Sequence, residues 1–476
     1  MKKIGLLLGP GLFFLILAIP VPDGLKPEAW KAIAMAAWML SWFITEAMPL
    51  PVTALLPMVI QPLLGLTKVK DAMAPYSDPI IYLFMGGFTI ALAMERWNLH
   101  RRIALNILRL TGSTANGIIL GFFLSTALIS MWISNTATTI MMMPMALAVI
   151  DLVNSRDEDG NPAPGMRNFA IAMMLGVSYA SSIGGVGTLI GTPPNVVFAA
   201  QMKELFKVQI PFGQWMAVGV PYALLLLLGG YWIIVRWVYP NGLGHIDGAQ
   251  ERLSAELAKL GPMSPGENRT LLVFCAAAAG WIFKLPIEKA IPGLVIEESV
   301  VGICASLLLF AIPIDWKNYT FALEWKNTEK LPWGILLLFG GGLSLASALS
   351  STGIIDLIGQ QFKGGDGSSW LFMFLLVAVT VFLTELLSNV ALVVVFIPVI
   401  GAVAQAMNID PVVMCIPVTL AASSGFMLPM STPPNAIVFS SGYLTVPQMM
   451  RAGVWLNLLS IMLMTVFGKL VVPLFF

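Results

Sequence analysis

The chain has 476 residues, of which 58% are hydrophobic and 11% charged, less than half the roughly 25% charged share of a soluble domain. That composition requires lipid as the main solvent and excludes the three soluble domains that length alone would allow. Twenty-six basic against 25 acidic side chains leave a net charge of +1, so there is no polyanion-binding surplus and nucleic acid is excluded as a partner.

In chain order, Met1-Lys2-Lys3 and the apolar run Ile4 to Pro20 read as a first transmembrane helix, because no small-residue cleavage site follows and the chain stays hydrophobic to Phe476. A span takes about 20 apolar residues. Charge-free stretches one helix long are Ile4 to Pro22, Ala32 to Thr45, Pro49 to Thr67, Val208 to Val235, Thr270 to Phe283 and Ser299 to Ile314. Three stretches are too long for one helix: Leu110 to Ile150, Asn168 to Met202, and Gly367 to Met450, which carries only Glu385 and Asp410. Polar or helix-breaking clusters interrupt them at Ser134-Asn135-Thr136, Gly184 to Asn195, Ser388-Asn389 and Ser424 to Asn435. Each therefore predicts a broken helix or a re-entrant hairpin.

The extended polar segments are Asn154 to Gly165, Tyr239 to Arg269 and Ile314 to Lys330. The second predicts a loop with one amphipathic helix, Ala249 to Leu260. The third, with Trp316, Phe321, Leu323 and Trp325 among charges, predicts a helix lying in the membrane interface. The expected fold is an all-α polytopic membrane protein with about 11 transmembrane helices and two re-entrant helical hairpins. Scaffold helices fill 1–77. A first repeat over 78–238 holds a hairpin at 116–150 and a broken helix at 168–202. A cytoplasmic loop, two scaffold helices and the interfacial helix occupy 239–330, and a second repeat over 331–476 holds a hairpin at 370–404 and a broken helix at 411–441.

With a cytoplasmic amino terminus, all ten arginines (Arg96, Arg101, Arg102, Arg109, Arg156, Arg167, Arg236, Arg252, Arg269 and Arg451) fall on the cytoplasmic side, as the positive-inside rule requires. Lys26, Lys68, Lys70, Lys203, Lys207, Lys284, Lys289 and Lys363 fall outside. Cys275, Cys304 and Cys415 are too scattered for a disulfide framework or a zinc site and read as small buried side chains. His100 and His245 sit among charges and read as solvated, and Met141-Met142-Met143 reads as hairpin packing.

The two halves repeat each other. Phe84-Met85-Gly86-Gly87-Phe88-Thr89 recurs as Phe339-Gly340-Gly341-Gly342-Leu343-Ser344. Ser130 with Ser134-Asn135-Thr136 recurs as Thr384 with Ser388-Asn389-Val390, and Thr192-Pro193-Pro194-Asn195 as Thr432-Pro433-Pro434-Asn435. A Ser-Ser pair precedes each Pro-Pro break, Ser181-Ser182 and Ser423-Ser424. The span count between the Ser-Asn motifs makes the first hairpin enter from the cytoplasm and the second from outside. Inverted repeats with paired discontinuous helices point to a secondary transporter with a midplane site, since irregular backbone is tolerated at depth only where it lines a cavity.

Ser and Asn favour helix N-caps, so each Ser-Asn tip can start a helix whose positive end attracts an anion. The same tip carries hydroxyl, amide and carbonyl oxygens, which suit a small hard cation such as sodium. Ser130 lies one turn before Ser134, so both hydroxyls and the Asn135 amide can converge; Thr384, Ser388 and Asn389 repeat the arrangement. The Pro-Pro pairs stop a continuous helix and free carbonyls near Gly184 to Gly187 and near Ser431-Thr432. These segments hold no lysine or arginine, and a charge at the bilayer centre costs about 2.5–3.5 kcal/mol or more. An anion bound there needs co-bound cations and helix dipoles as counter-charge. Glu46 and Glu385 lie nearest the membrane interior and read as carboxylates hydrogen-bonded near helix ends, not as proton carriers, because neither position repeats. Gly86, Gly87 and Gly340 to Gly342 read as sites of close helix approach.

At these residues the sequence resembles the divalent anion/sodium symporter (DASS) family, in particular bacterial dicarboxylate carriers of the INDY type. The resemblance rests on Thr45-Glu46-Ala47-x-Pro49 with Thr53-Ala54-Leu55-x-Pro57, Ser134-Asn135-Thr136, Leu383-Thr384-Glu385 leading into Ser388-Asn389-Val390, and both Thr-Pro-Pro-Asn segments, and it covers essentially the whole chain. It implies a homodimer in the bacterial inner membrane whose transport domain moves against a scaffold as an elevator. It also implies one sodium site at Ser130, Ser134, Asn135, Gly184 and Gly185, and a second at Thr384, Ser388, Asn389 and Ser431. Substrate contacts would come from Ser134, Asn135, Thr136, Ser388, Asn389, Val390, Thr432 and Pro433. Val390 departs from the threonine of many dicarboxylate carriers and puts substrate preference in doubt.

The expected activity is sodium-coupled symport of a C4 dicarboxylate, with citrate- or sulfate-preferring symport, sodium-independent dicarboxylate exchange and a passive anion channel as rivals. A membrane-embedded serine hydrolase would need a base beside its nucleophile; no histidine lies in a span, and no lysine neighbours the Ser-Asn motifs.

Overall fold

The computed structural model describes residues 2–153, 165–362 and 370–476. Met1, the polar segment 154–164 with Arg156, and 363–369 with Lys363 and Gly367 lie outside the described residues.

Helices α1 (Lys2–Ala18) and α2 (Pro27–Thr45) pair first, followed by short helices Leu50–Thr53 and Leu56–Leu63. Then come α3 (Pro79–Arg96), α4 (Leu99–Leu110), α5 (Ala115–Ser130), α6 (Asn135–Val153), α7 (Met166–Gly185), α8 (Pro193–Phe206) and α9 (Phe212–Trp232). The loop helix α10 (Ala249–Lys259), α11 (Pro265–Ile282) and α12 (Glu298–Ala311) separate these from the second series: α13 (Trp333–Ser351), α14 (Ile354–Gln360), α15 (Trp370–Thr384), α16 (Asn389–Ala406), α17 (Pro411–Ala422), α18 (Pro433–Phe439) and α19 (Val446–Val466). Local chemistry sets the starts. Asp78, Thr114 and Asp410 accept N–H groups of the first turn, and Ser264 forms a reciprocal capping box with Glu267.

Among the described residues six helices are long and apolar enough to cross a membrane, and the pair Pro265–Ile282 and Lys284–Ala290, bent by 72°, makes a seventh candidate. Helices α5, α12, α15 and α17 are apolar but shorter.

The segment 314–330, expected as an interfacial helix, is different. Strand β1 (Pro313–Asp315) pairs antiparallel with β2 (Thr320–Phe321), and a 3₁₀ helix follows at Trp325–Lys330. Asp315 is the physical reason: its carboxylate accepts the Lys317 N–H and the Asn318 side-chain amide, an Asx turn that competes with helix. Trp316 and Trp325 remain exposed.

Two further expectations are corrected. Cys275 and Cys304 are exposed, and only Cys415 is buried; the first two lie on apolar helices whose outer faces are uncovered. His100 is buried, with Nδ1 2.9 Å from the Met94 carbonyl, whereas His245 is exposed beside Ser113. His100 opens the amphipathic helix α4 and faces inward, so its charged sequence neighbours do not describe its surroundings.

The glycines bring the helices together. A Cβ on Gly86 would fall on the backbone of Gly302, joining α3 to α12, and one on Gly341 would meet the Ala54 backbone. In matching register, Gly87 faces Ile190 and Gly342 faces Val394. Helix α7 packs on α5 and α6, and α17 on α15 and α16. The short second halves then cross over: α18 packs on α6 and α7, and α8 on α16. The two repeats are thereby interleaved in one body. Arg96 pairs with Glu324, Arg101 with Glu256, and Arg102 with Glu267, which gathers α4, α10 and the start of α11.

Candidate functional site

Both Ser-Asn tips are breaks between consecutive helices, α5 to α6 and α15 to α16. Ser130 Oγ donates to Asn135 Oδ1 at 2.8 Å, and Thr384 Oγ1 lies 2.8 Å from Asn389 Oδ1. These contacts repeat at a shift of 254 residues. Ser134 Oγ accepts the Ala137 N–H at 3.3 Å, while Ser388 is the N-cap of α16 without a side-chain bond. Thr136 and Val390 are half-buried beside the asparagines.

Each tip meets a broken helix. The Asn135 amide lies against Gly185, where any Cβ would displace it. Gly184 instead packs on the backbone of Ala127, so of the two glycines Gly185 is the one that faces the tip. Thr384 Oγ1 also lies 2.6 Å from the Ala422 carbonyl. Gly425 sits where a Cβ would stand 3.0 Å from Ser431 Cβ and 3.6 Å from Thr384 Cγ2. Ser130, Asn135 and Gly185 thus come together in one half, and Thr384, Asn389, Ser431 and Gly425 in the other. Thr432 is the buried N-cap of α18, accepting the Asn435 N–H, and Pro433 is exposed at the first helical position.

The asparagines of the Pro-Pro segments hold the loops in shape. Asn195 Nδ2 donates to the carbonyls of Gly185 and Thr188 at 3.3 and 2.8 Å. Asn435 Nδ2 donates to those of Gly425 and Leu428 at 3.2 and 3.0 Å. This shift of 240 residues makes Gly425 the counterpart of Gly185. It also separates the two Ser-Ser pairs, since Ser423 and Ser424 stand opposite Ile183 and Gly184. Sequence reading passed over Gly425 for that reason; the constant distance from each asparagine back to its glycine was the available signal.

Glu385 is buried and accepts the N–H groups of Phe426, Met427 and Leu428 at 2.8, 2.9 and 3.1 Å, with Asn457 Nδ2 at 2.8 Å. It is a backbone anchor, as the sequence suggested. Glu46 is exposed and ends α2 in a left-handed conformation.

Chemically, each half offers hydroxyl, amide and carbonyl oxygens beside a helix start, with no lysine or arginine among the residues in contact. Neutral oxygen donors suit sodium better than a transition metal, and among the described residues no group of three or more His, Cys, Asp and Glu could hold a metal. A cavity of about 90 Å³ lies between Pro79, Lys203, Lys284 and Glu298; Leu189 of the first helix break lines it, and no residue of either Ser-Asn tip does.

A helical membrane chain whose halves interleave broken helices around paired polar tips has the architecture of a membrane transporter, and the family and relatives it matches are transport proteins, not enzymes. The family described as "Sodium:sulfate symporter transmembrane region" matches residues 2–476. The chain belongs to this divalent anion/sodium symporter family. It is 37% identical to a sodium-dependent dicarboxylate transporter, SdcS, of Staphylococcus saprophyticus, over 99% of this chain and 92% of that protein. An SdcS of Staphylococcus aureus is likewise 37% identical, over 99% and 91%. Among solved structures, Neisseria gonorrhoeae MtrF superposes with a TM-score of 0.57 at 14% identity, over 98% of this chain and 94% of that one. The YdaH transporter of Alcanivorax borkumensis gives 0.54 at 14% identity, over 93% and 98%. Both similarities concern the fold.

Proposed function

We propose that the protein is a symporter that uses an inward sodium gradient to import a C4 dicarboxylate of the succinate, malate or fumarate type. The observation that carries this reading is the duplicated oxygen cluster, Ser130–Asn135–Gly185 and Thr384–Asn389–Gly425–Ser431, with no basic side chain to neutralise an anion. Sodium bound in each cluster supplies that charge. Ser134, Asn135, Thr136, Ser388, Asn389, Val390, Thr432 and Pro433 then face the dicarboxylate, with the starts of α6 and α16 adding their dipoles. The names of the staphylococcal relatives support the same substrate and ion.

The remaining parts of the reading are a homodimer in the bacterial inner membrane, a cytoplasmic amino terminus, about eleven spans with two re-entrant hairpins, and elevator movement of the interleaved body of hairpins and broken helices. Val390 bears on specificity: a hydroxyl bond to a charged group contributes about 1.5–3 kcal/mol, so its absence alters which carboxylate binds best, with citrate second to the C4 dicarboxylates and sulfate third.

The test is uptake of labelled succinate into proteoliposomes with and without an inward sodium gradient. Saturable, sodium-dependent uptake is expected. Sodium-independent uptake overturns the coupling and favours an exchanger, and non-saturating flux favours a channel. Competition by fumarate, citrate and sulfate at two pH values ranks the substrates.

A further inference from the structure

The segment 312–332 leaves the end of one apolar helix and returns at the start of another, so chain connectivity holds it beside the bilayer. Helix α12 is apolar to Ala311, and α13, which is long enough to cross a membrane, begins at Trp333. The segment between them is fixed in place. The Leu323 N–H donates to the Leu309 carbonyl and the Ala322 N–H to that of Ile312, at 2.9 and 3.2 Å. Trp97 Nε1 donates to the Ala322 carbonyl and Trp333 Nε1 to that of Thr328, both at 2.9 Å. Arg96 pairs with Glu324 and donates to Asn327 Oδ1 at 2.9 Å. The β-hairpin and the 3₁₀ helix after it are thus tied to α3, α12 and α13.

This platform presents aromatic rings and cations outward. Trp316, Tyr319 and Trp325 are 69%, 74% and 75% exposed. Tyr319 stands in the hairpin turn with a φ of 51°, the left-handed region that glycine takes freely and a bulky residue enters only under strain. Observed strain is a pointer to function, and here the strained residue is the one that turns a ring away from the protein. Lys317 follows Trp316, Lys326 follows Trp325, and Lys330 closes the 3₁₀ helix; all three are exposed. Among the described residues none of the three has a carboxylate within ion-pair distance. Of the segment's acids, Glu324 is paired with Arg96 and Asp315 is hydrogen-bonded within the hairpin, which leaves Glu329 beside three lysines.

We infer that the hairpin and its 3₁₀ helix are a binding surface for anionic phospholipid. Trp316, Tyr319 and Trp325 enter the headgroup layer, and Lys317, Lys326 and Lys330 meet the phosphate oxygens. Tryptophan and tyrosine join an apolar body to one polar handle, which settles them at that depth. Lysine stems lie along apolar surface while the ammonium stays at the polar edge, and a negatively charged leaflet attracts each one. An exposed aromatic patch fits either a protein or a membrane; the position of this one between two apolar helices selects the membrane. Because Gly86 and Gly302 join α3 to α12, a hairpin held in the headgroups holds that helix pair at one depth. The inference requires only that the chain spans a membrane and is independent of which ion or anion it carries.

Two measurements on the full-length protein test it. In detergent, phosphatidylglycerol is titrated against unfolding temperature, with phosphatidylcholine and glycerol phosphate as controls. Phosphatidylglycerol is expected to stabilise the wild type and the controls are not. The combined variant Lys317→Gln, Lys326→Gln and Lys330→Gln, all at exposed positions, is expected to fold and to need about five-fold more phosphatidylglycerol for each lysine removed. In proteoliposomes containing phosphatidylglycerol, a nitroxide is attached at Tyr319→Cys, with the exposed Cys275 and Cys304 replaced by serine. The label is expected to be more accessible to oxygen than to a water-soluble nickel chelate. Equal stabilisation by both lipids, or by glycerol phosphate, overturns the anionic-lipid site, as does an unchanged titration in the glutamine variant. A label that the nickel chelate reaches freely overturns insertion and makes the patch a surface for a water-soluble partner.

Discussion

Glu385 stands in the second repeat where Met131 stands in the first, and each ties its hairpin tip to the loop of the neighbouring broken helix. In the first repeat the Thr188 hydroxyl donates to the Met131 carbonyl at 2.5 Å. In the second, Leu428 replaces Thr188 and has no hydroxyl to give. The Glu385 carboxylate reaches across instead and collects three backbone N–H groups and the Asn457 amide. The same join is made once by a side-chain donor and once by a side-chain acceptor.

Glu385→Ala is therefore expected to strand four donors, two of them buried and two partly buried. One buried donor without a partner costs about 1–3 kcal/mol, so a large loss of thermal stability in detergent is expected. Glu385→Gln keeps one acceptor oxygen and is expected to fold, with sodium half-saturation raised because the Gly425 and Leu428 carbonyls sit on the loop it holds. Wild-type stability in Glu385→Ala would show that the carboxylate is not the anchor.

Gly184 and Gly185 are adjacent but face different neighbours, which makes their alanine variants diagnostic. At Gly184 the new methyl meets the backbone of Ala127, and at Gly185 it meets the movable Asn135 amide. Overpacking against fixed backbone costs about 1–3 kcal/mol or more, so Gly184→Ala is expected to lower the unfolding temperature. Gly185→Ala is expected to fold nearly normally and to raise half-saturating sodium by about ten-fold, equivalent to about 1.4 kcal/mol. Equal effects on stability and sodium in both variants would contradict the assignment of Gly185 to the tip.

Features set by local chemistry were legible in the sequence. Charge-free length, Pro-Pro breaks and the Ser-Asn repeat located both polar tips, and the glycine pairs marked the close approaches of α3 and α13. Contacts between distant residues left no local trace. Ser178 and Asn435 are 257 positions apart, and nothing around either marks the other. The Asx turn at Asp315 overrode an apolar pattern that read as an interfacial helix. His100 was misread because charge in the sequence neighbourhood does not reveal which way a helix face turns.

The burial of His100 has a pH consequence. Burial, aided by the charge of Arg101, lowers its pKa below the ordinary 6.5, against the opposing pull of the Met94 carbonyl and Glu95. The unfolded chain then binds the proton more readily than the folded one, so stability contributed by neutral His100 is complete above pH 6.5 and is lost as pH falls below it. Unfolding temperature in detergent is expected to fall between neutral pH and about pH 5, within the range in which histidine titrates. His100→Gln is expected to flatten that part of the profile. An identical pH profile in the variant would place the titrating group elsewhere.

Val418 offers a test of the pseudo-symmetry itself. It occupies the position of Ser178 under the 240-residue shift, and the absence of a hydroxyl there coincides with the buried, unpartnered Asn195 Oδ1. Val418→Thr adds a donor with almost no change in volume. If the second half mirrors the first, the new hydroxyl reaches Asn195 as Ser178 reaches Asn435, and stability is expected to rise by about 1 kcal/mol, the net value of a typical hydrogen bond. The gain should vanish in an Asn195→Ala background, because the acceptor is then gone. If Val418→Thr lowers the unfolding temperature in both backgrounds, the hydroxyl is buried without reaching Asn195 and the two halves are not related by that shift at this depth.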